Sequence, residues 1–234
     1  DDVGTFGGSD HWNPLPGIQV AIAGHNVEKW VGRCLDSVRC ALDGYRWILL
    51  YADDASTDNS RDIVAEKSRL LGADAVFLHT FKKQPNAAAA KNRAISLGLH
   101  LRKKYPALCL MDADDVMGEE RIRHLLWRVR DGGFLMGHGA FEYVCENPES
   151  SDVQAMRSPD KPLIRPGHDQ MLTGHLHPGS TLIHESLIPT DGNLFDESFE
   201  SREDAWLWLN WYVKGIRSQP LPGPVTYYYS VRPG

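Results

Sequence analysis

Residues 107–115 read Ala-Leu-Cys-Leu-Met-Asp-Ala-Asp-Asp, five apolar residues running without a break into three carboxylates. A short run that is apolar throughout marks a strand buried on both faces, because a strand with one wet face would alternate. The acidic residues that follow must then sit at the strand's carboxyl end. The same texture recurs upstream. Residues 18–23 (IQVAIA) lead into Gly24-His25-Asn26, residues 47–52 (WILLYA) lead into Asp53-Asp54, and residues 75–79 (AVFLH) form a further apolar run. Between these runs the spacing turns helical: Trp30, Val31, Cys34, Leu35 and Val38 share a face, as do Ile63, Val64, Leu70 and Leu71 within 60–71, and an Ala-rich segment covers about 87–103. Buried strands alternating with helices imply an α/β fold, Rossmann-like, with a mostly parallel central sheet and helices on both faces. Ligands of such sheets bind beyond the carboxyl ends of the strands. Asn26, Asp53-Asp54 and Asp112 to Asp115 therefore converge on one cleft.

After residue 115 the pattern changes. A helix at 120–130 and a strand at 134–137 give way to a polar, Pro-rich stretch at 146–179 with little periodicity, which reads as substrate-facing loops or disorder. A last amphipathic helix spans 204–214 and stops at Gly215, a C-cap signal. The tail at 226–232 (TYYYSVR) reads as a closing strand. The expected organisation is a lead at 1–17, a ligand-binding half at 18–117 and a second half of the same domain at 118–234.

Composition narrows the classes. With 234 residues, 42% of them hydrophobic, the chain can bury a full core. A net charge of −6 argues against a nucleic-acid partner, since backbone binding needs clustered Lys and Arg. No run reaches the length of a membrane span, and the start carries no signal-peptide pattern. The four cysteines lack CxxC spacing, so a reduced, cytoplasmic setting is expected. The chain starts at Asp1 without methionine, as a domain of a longer polypeptide would.

Carboxylates at i and i+2 after a buried strand can meet on one hard cation such as Mg²⁺ or Mn²⁺, which would neutralise a diphosphate leaving group. The run also reads as a simple turn and N-cap before the next helix. Asp58 and Ser60 are accounted for as helix-capping residues. Asp53 and Asp54 are not, since adjacent carboxylates repel, and a hydrogen bond from a nucleobase imino group would explain one of them.

The ordered series VAIAGHNVEKWVGRCLDSV, ILLYADDASTDNS, NAAAAKNRAI, LCLMDADD and FDESFESREDAWLWLNWYVKG resembles the family 2 glycosyltransferases over about residues 18–230. That resemblance implies the GT-A fold and an inverting, metal-dependent transfer from a nucleotide-diphosphate sugar, UDP-linked, to an acceptor hydroxyl on a glycan or other molecule. It implies that Asp54 contacts the base with Asp53 beside it, and that Ala23 and Asn26 belong to the nucleotide-binding loop. Here Ala23-Gly24-His25-Asn26 stands where the family often has Pro-Ala-Tyr-Asn. It further implies that Asp112, Ala113 and Asp114 form the diphosphate-binding motif, with Asp112 and Asp114 at the metal, Mn²⁺ or Mg²⁺. Lys91 stands where the family has Arg, keeping a cation without bidentate geometry. Glu203-Asp204 resembles the Glu-Asp pair at the start of a helix, with Asp204 as the catalytic base; acidic residues there also suit the helix dipole.

Other readings stay open. A sugar-phosphate nucleotidylyltransferase would need a Gly-rich basic loop after the first strand, which Gly24-His25-Asn26-Val27 does not supply. A catalytically silent module holding a nucleotide-sugar or a glycan would share the fold. His175 and His177 could meet a metal if they lay on a strand, though a loop containing two histidines is the commoner case, and His184 reads as structural. Trp206, Trp208 and Trp211 suggest a sugar-stacking array, yet helical spacing groups Trp208 with Trp211 in the core and sets Trp206 apart.

Overall fold

A computed structural model describes residues 17–71, 74–80, 82–131, 134–145, 158, 160–161, 163–173 and 176–231. The strands are β1 (Ile18–Gly24), β2 (Trp47–Asp53), β3 (Asp74–His79), β4 (Ala107–Asp112), β5 (Val116–Met117), β6 (Met136–Cys145), β7 (Thr181–His184) and β8 (Gln219–Val231). The helices are α1 (Val31–Ala41), α2 (Ser60–Ser68), α3 (Ala87–Ser96), α4 (Arg121–Asp131), the single turn α5 (Gln170–Thr173) and α6 (Glu203–Val213). All eight strands join one sheet in the order β3-β2-β1-β4-β7-β6-β8-β5. The first four pair in parallel; β7 runs antiparallel to both β4 and β6, β8 is parallel to β6, and β5 is antiparallel to β8.

The sheet splits the apolar residues between two cores because side chains alternate along a strand. Ile18, Val20 and Ile22 of β1 pack with Val31, Leu35 and Val38 of α1, Val64 of α2 and Ile122 and Leu125 of α4. On the other face Ala21 meets Ile48 and Leu50 of β2, Ala94 and Ile95 of α3, and Leu207, Trp208 and Trp211 of α6. β2 is buried along its whole length, whereas β3, at the sheet edge, is only partly covered.

Two boundaries differ from the sequence reading for identifiable reasons. The helix expected over 87–103 ends at Ser96, followed by a 3₁₀ turn at Leu99–Leu101. Gly98 lies so close to β1 that a Cβ there would run into the Gln19 amide, and that amide donates to the Tyr105 carbonyl at 2.7 Å, satisfying a buried polar group inside β1. Gly98→Ala is therefore expected to cost about 1–3 kcal/mol by overpacking, read as a lower denaturant midpoint at unchanged m. The closing strand starts at Gln219, seven residues before the expected 226, and passes through Pro220, Pro222 and Pro224. Its pairing with β6 shifts register between His138 and Phe141, and such irregularities tolerate residues without an N–H.

Candidate active site

The acidic turn closes β4. The Asp115 N–H donates to the Asp112 carbonyl at 3.2 Å, and Ala113 and Asp115 are buried, while Asp112 and Asp114 remain partly exposed. The last strand fixes this turn. The Ser230 N–H donates to Asp115 Oδ1 at 2.7 Å and the Tyr227 hydroxyl donates to Oδ2, while Ser230 Oγ and Arg33 donate to the Asp114 carbonyl at 2.7 and 3.2 Å. Burial, then the charges of Asp112 and Asp114, push the Asp115 pKa well up. Burial and Asp115 push the Tyr227 phenol up too, so it keeps its proton and donates. Both oxygens of Asp115 are thus engaged by the fold.

Lys91, on α3, joins the turn to the far half of the chain. Its ammonium lies 3.4 Å from Asp112 Oδ1 and 3.1 Å from Glu203 Oε1, with side-chain exposures of 17%, 31% and 10% for Lys91, Asp112 and Glu203. Burial works against the Lys91 charge, but Asp112, Glu203 and Asp204 overcome it and lift its pKa above the ordinary ammonium value. Next to Glu203, Asp204 opens α6 half-buried, and its Oδ1 accepts the Ala205 N–H at 2.8 Å. Burial raises the Asp204 pKa and Glu203 adds to the effect; the Ala205 hydrogen bond and Lys91 oppose it. The residue before this pair, Arg202, holds a left-handed backbone at φ 61°, a strain of the kind concentrated at functional sites.

A cavity of about 350 Å³ opens at the carboxyl ends of β1, β2 and β4, with Ala23, His25, Asp54, Asn86, Lys91 and Asp112 in its wall. Asp54 is held from two sides. Its N–H donates to the Gly24 carbonyl at 2.8 Å, and its Oδ1 accepts the Gln84 N–H at 2.7 Å. Asp53 lies outside that wall, buried, accepting from Ser56 N at 3.1 Å and from His79 Nδ1 at 2.6 Å. Arg61 faces the other His79 nitrogen at 3.0 Å; an arginine can only donate, so the ring's proton belongs on Nδ1. The exposed Asn26 side chain accepts from Thr57 N at 2.8 Å and ties the first two strand-end loops together. Of the residues expected at a nucleotide, Ala23, Asp54, Lys91 and Asp112 share this cavity, whereas Asn26 and Asp53 shape the loops around it and Ala113 is packed beneath the turn.

Of the neighbours around the turn, Arg121 carries no sequence signal, whereas His177 is already singled out by the sequence. Arg121, fully buried, donates to the Thr181 carbonyl at 2.6 Å and the Leu110 carbonyl at 3.3 Å, pinning β4 to β7, and lies over the Tyr227 ring. His177 stacks on that ring with centroids 5.0 Å apart. Burial lowers the His177 pKa to about 4 against the pull of Asp112, so the ring is neutral at ordinary pH. Its Nδ1 accepts the Gly179 N–H at 3.1 Å, which places the proton on Nε2. Asp112, Asp115 and His177 each offer an atom within 4.8 Å of the others. His175 lies outside the described residues. His184 caps its own turn through Ser186 N at 3.2 Å. Trp208 and Trp211 pack edge to face in the core while Trp206 is exposed, the grouping expected from helical spacing. Among the described residues no helix is long and apolar enough to cross a membrane.

Known proteins share this architecture. TarS from S. aureus, residues 1–349 in complex with UDP-GlcNAc, superposes with a TM-score of 0.64 at 16% identity, covering 94% of this chain and 60% of that one. The mannosyltransferase PcManGT from Pyrobaculum calidifontis, in complex with GDP-Man and Mn²⁺, gives 0.60 at 15% identity over 90% of this chain and 56% of its own. The chain thus spans about three-fifths of the structures it matches, and at these identities the likeness establishes the GT-A fold. The sequence model of Glycosyl transferase family 2 matches residues 19–188, well over half the chain. With the acidic strand-end turn, the cavity beside it and the fold all in agreement, the chain belongs to glycosyl transferase family 2.

Proposed function

We propose that this glycosyltransferase is inverting: it moves a sugar from a UDP-linked donor to a hydroxyl of a glycan or other acceptor, with Mn²⁺ or Mg²⁺ held at Asp112 and Asp114. The observation that carries the reading is Lys91, whose contacts with Asp112 and Glu203 bring the donor-end carboxylates and the start of α6 into one site. The structures similar to this chain hold UDP-GlcNAc, or GDP-Man with Mn²⁺.

Asp54 supports uracil over guanine. Its Oδ1 already accepts the Gln84 N–H, leaving one oxygen for the ligand. Uracil offers a single imino N–H, whereas guanine presents two adjacent donors that want both oxygens of a carboxylate. The donor set also fits a cation. Carboxylate oxygens suit Mg²⁺ and Mn²⁺ alike. When bound, the cation supplies neutralisation of the diphosphate charge. Since both Asp115 oxygens are engaged by β8, Asp112 and Asp114 are the pair assigned to it.

In the transfer, the acceptor oxygen bonds to the anomeric carbon as the carbon–phosphate-oxygen bond breaks, and that bond's electrons leave with the diphosphate. The acceptor's proton passes to Asp204. Glu203 is committed to Lys91, so Asp204 is the carboxylate of the pair open to an acceptor. Lys91 faces the leaving group with a permanent positive charge.

A thermal-shift titration tests the donor assignment. UDP with Mn²⁺ is expected to stabilise the fold by about 2.7 kcal/mol at a hundred times its dissociation constant, with GDP giving less and EDTA removing the gain. Asp54→Ala should erase the preference for UDP over GDP. Equal stabilisation by both nucleotides in the wild type would remove Asp54 as the selector. Slow hydrolysis of the donor without acceptor separates an enzyme from a silent binding module.

A further inference from the structure

A second cavity, of about 430 Å³, lies between the loop before α6 and α6 itself, with Asn193, Phe195, Asp196, Glu197, Trp206 and Asn210 in its wall. Its aromatic element is Trp206, 43% exposed, with the Phe199 ring alongside at a centroid distance of 5.3 Å and a tilt of 31°. The loop is strapped to α3 rather than loose. Buried Asn92 accepts the Phe195 N–H at 2.9 Å and donates to the Phe195 carbonyl at 2.8 Å and to Glu197 Oε1 at 3.0 Å. Asn86, which also lines the donor cavity, donates to the Glu197 carbonyl at 2.7 Å, so the two cavities share a wall. Asp196 steadies the turn by accepting from Ser198 N and Oγ at 2.9 and 2.7 Å. The Asn210 side-chain amide has no hydrogen-bond partner among the described residues.

An accessible indole bordered by an amide and carboxylates matches the two-sided chemistry of a pyranose, whose C–H face packs on an aromatic ring while its hydroxyls reach planar polar groups at the edge. Asp196 and Glu197 repel phosphate, and the wall holds no Lys or Arg to offset them, so a second nucleotide fits this cavity poorly. We propose that this cavity is a saccharide subsite that takes a pyranose unit of the acceptor away from the reacting hydroxyl. The identity of that unit as part of the acceptor rests on the sugar-transfer reading. The wall shared through Asn86 and Glu197 sets a glycan seated there beside the donor cavity, and the preformed loop keeps the ordering cost low.

The test labels the seven tryptophans with 5-fluorotryptophan, assigns the Trp206 fluorine resonance with Trp206→Phe, and titrates methyl glycosides of glucose, galactose, mannose, N-acetylglucosamine and N-acetylgalactosamine. The expected result is a saturable millimolar shift of the Trp206 signal with at least one glycoside, unchanged by saturating UDP and Mn²⁺. Asn210→Ala should weaken that binding about fivefold, the loss of one ordinary hydrogen bond. A Trp206 signal that no glycoside moves, in protein whose nucleotide binding is normal, overturns the subsite and leaves the transferase reading standing. A shift abolished by UDP overturns it too, since the sugar then occupies the donor cavity. A signal that broadens with protein concentration alone also overturns it, and assigns the exposed Trp206, Leu209 and Val213 face to contact between copies.

Discussion

Asp204→Asn is expected to lower the transfer rate by about 10²–10⁴-fold, the contribution of a positioned general base, while nucleotide binding and the melting temperature stay near wild type. Asparagine has the same shape, and its carbonyl can still accept the Ala205 N–H, so the start of α6 is preserved. What it loses is the basic oxygen to which the proposed mechanism assigns the acceptor's proton. Glu203 cannot stand in, being paired with Lys91 and nearly buried. The pH profile gives an independent check. Asp204 must be ionised to act, and burial places its pKa above the usual carboxylate range. Activity should therefore fall as pH drops through that raised value, and the acid limb should vanish from the residual activity of the variant. Wild-type turnover in Asp204→Asn would remove the residue from the mechanism.

Lys91→Ala should damage both stability and activity. It leaves Glu203 without its ion-pair partner in a nearly closed position and Asp112 without its nearest cation. Stranding one member of a buried pair costs about 3–5 kcal/mol; with Asp112 about one-third exposed, solvent screening reduces the expectation to roughly 2–4 kcal/mol. Chemical denaturation reads this directly. The variant also has a signature that a purely structural role would not give. Lys91 holds the Asp204 pKa down, so its removal should move the acid limb of the pH profile upward. Lys91→Arg, keeping the charge, should recover most of the stability and return the limb toward its original position. An acid limb that stays put in Lys91→Ala would uncouple Lys91 from the base.

The elements that build the site differ in how visible they were. β2 and β4 announce themselves as unbroken apolar runs, and β1 as a run interrupted only by Gln19, because both their faces are covered, and the polar residues after them mark the cleft. The last strand hides behind Pro220, Pro222 and Pro224, which read as loop in any local window. The contacts that matter most are long-range: Lys91 to Glu203 spans 112 positions, as does Tyr227 to Asp115. No periodicity reports such pairs. Strand pattern alone does not tell adjacent Asp53 and Asp54 apart, and it is the family resemblance that singles out Asp54; neighbouring residues at a strand end point opposite ways, and the fold turns Asp53 to His79 and Asp54 toward the cavity.

Tyr227 and Ser230, clamped on Asp115, also set an order of events during synthesis. A nascent chain that has emerged through residue 117 already contains every residue lining the donor cavity. It still lacks the clamp that shapes the acidic turn, which arrives more than a hundred residues later. Since a domain folds as a unit, the acidic turn takes its shape only once β8 has been made.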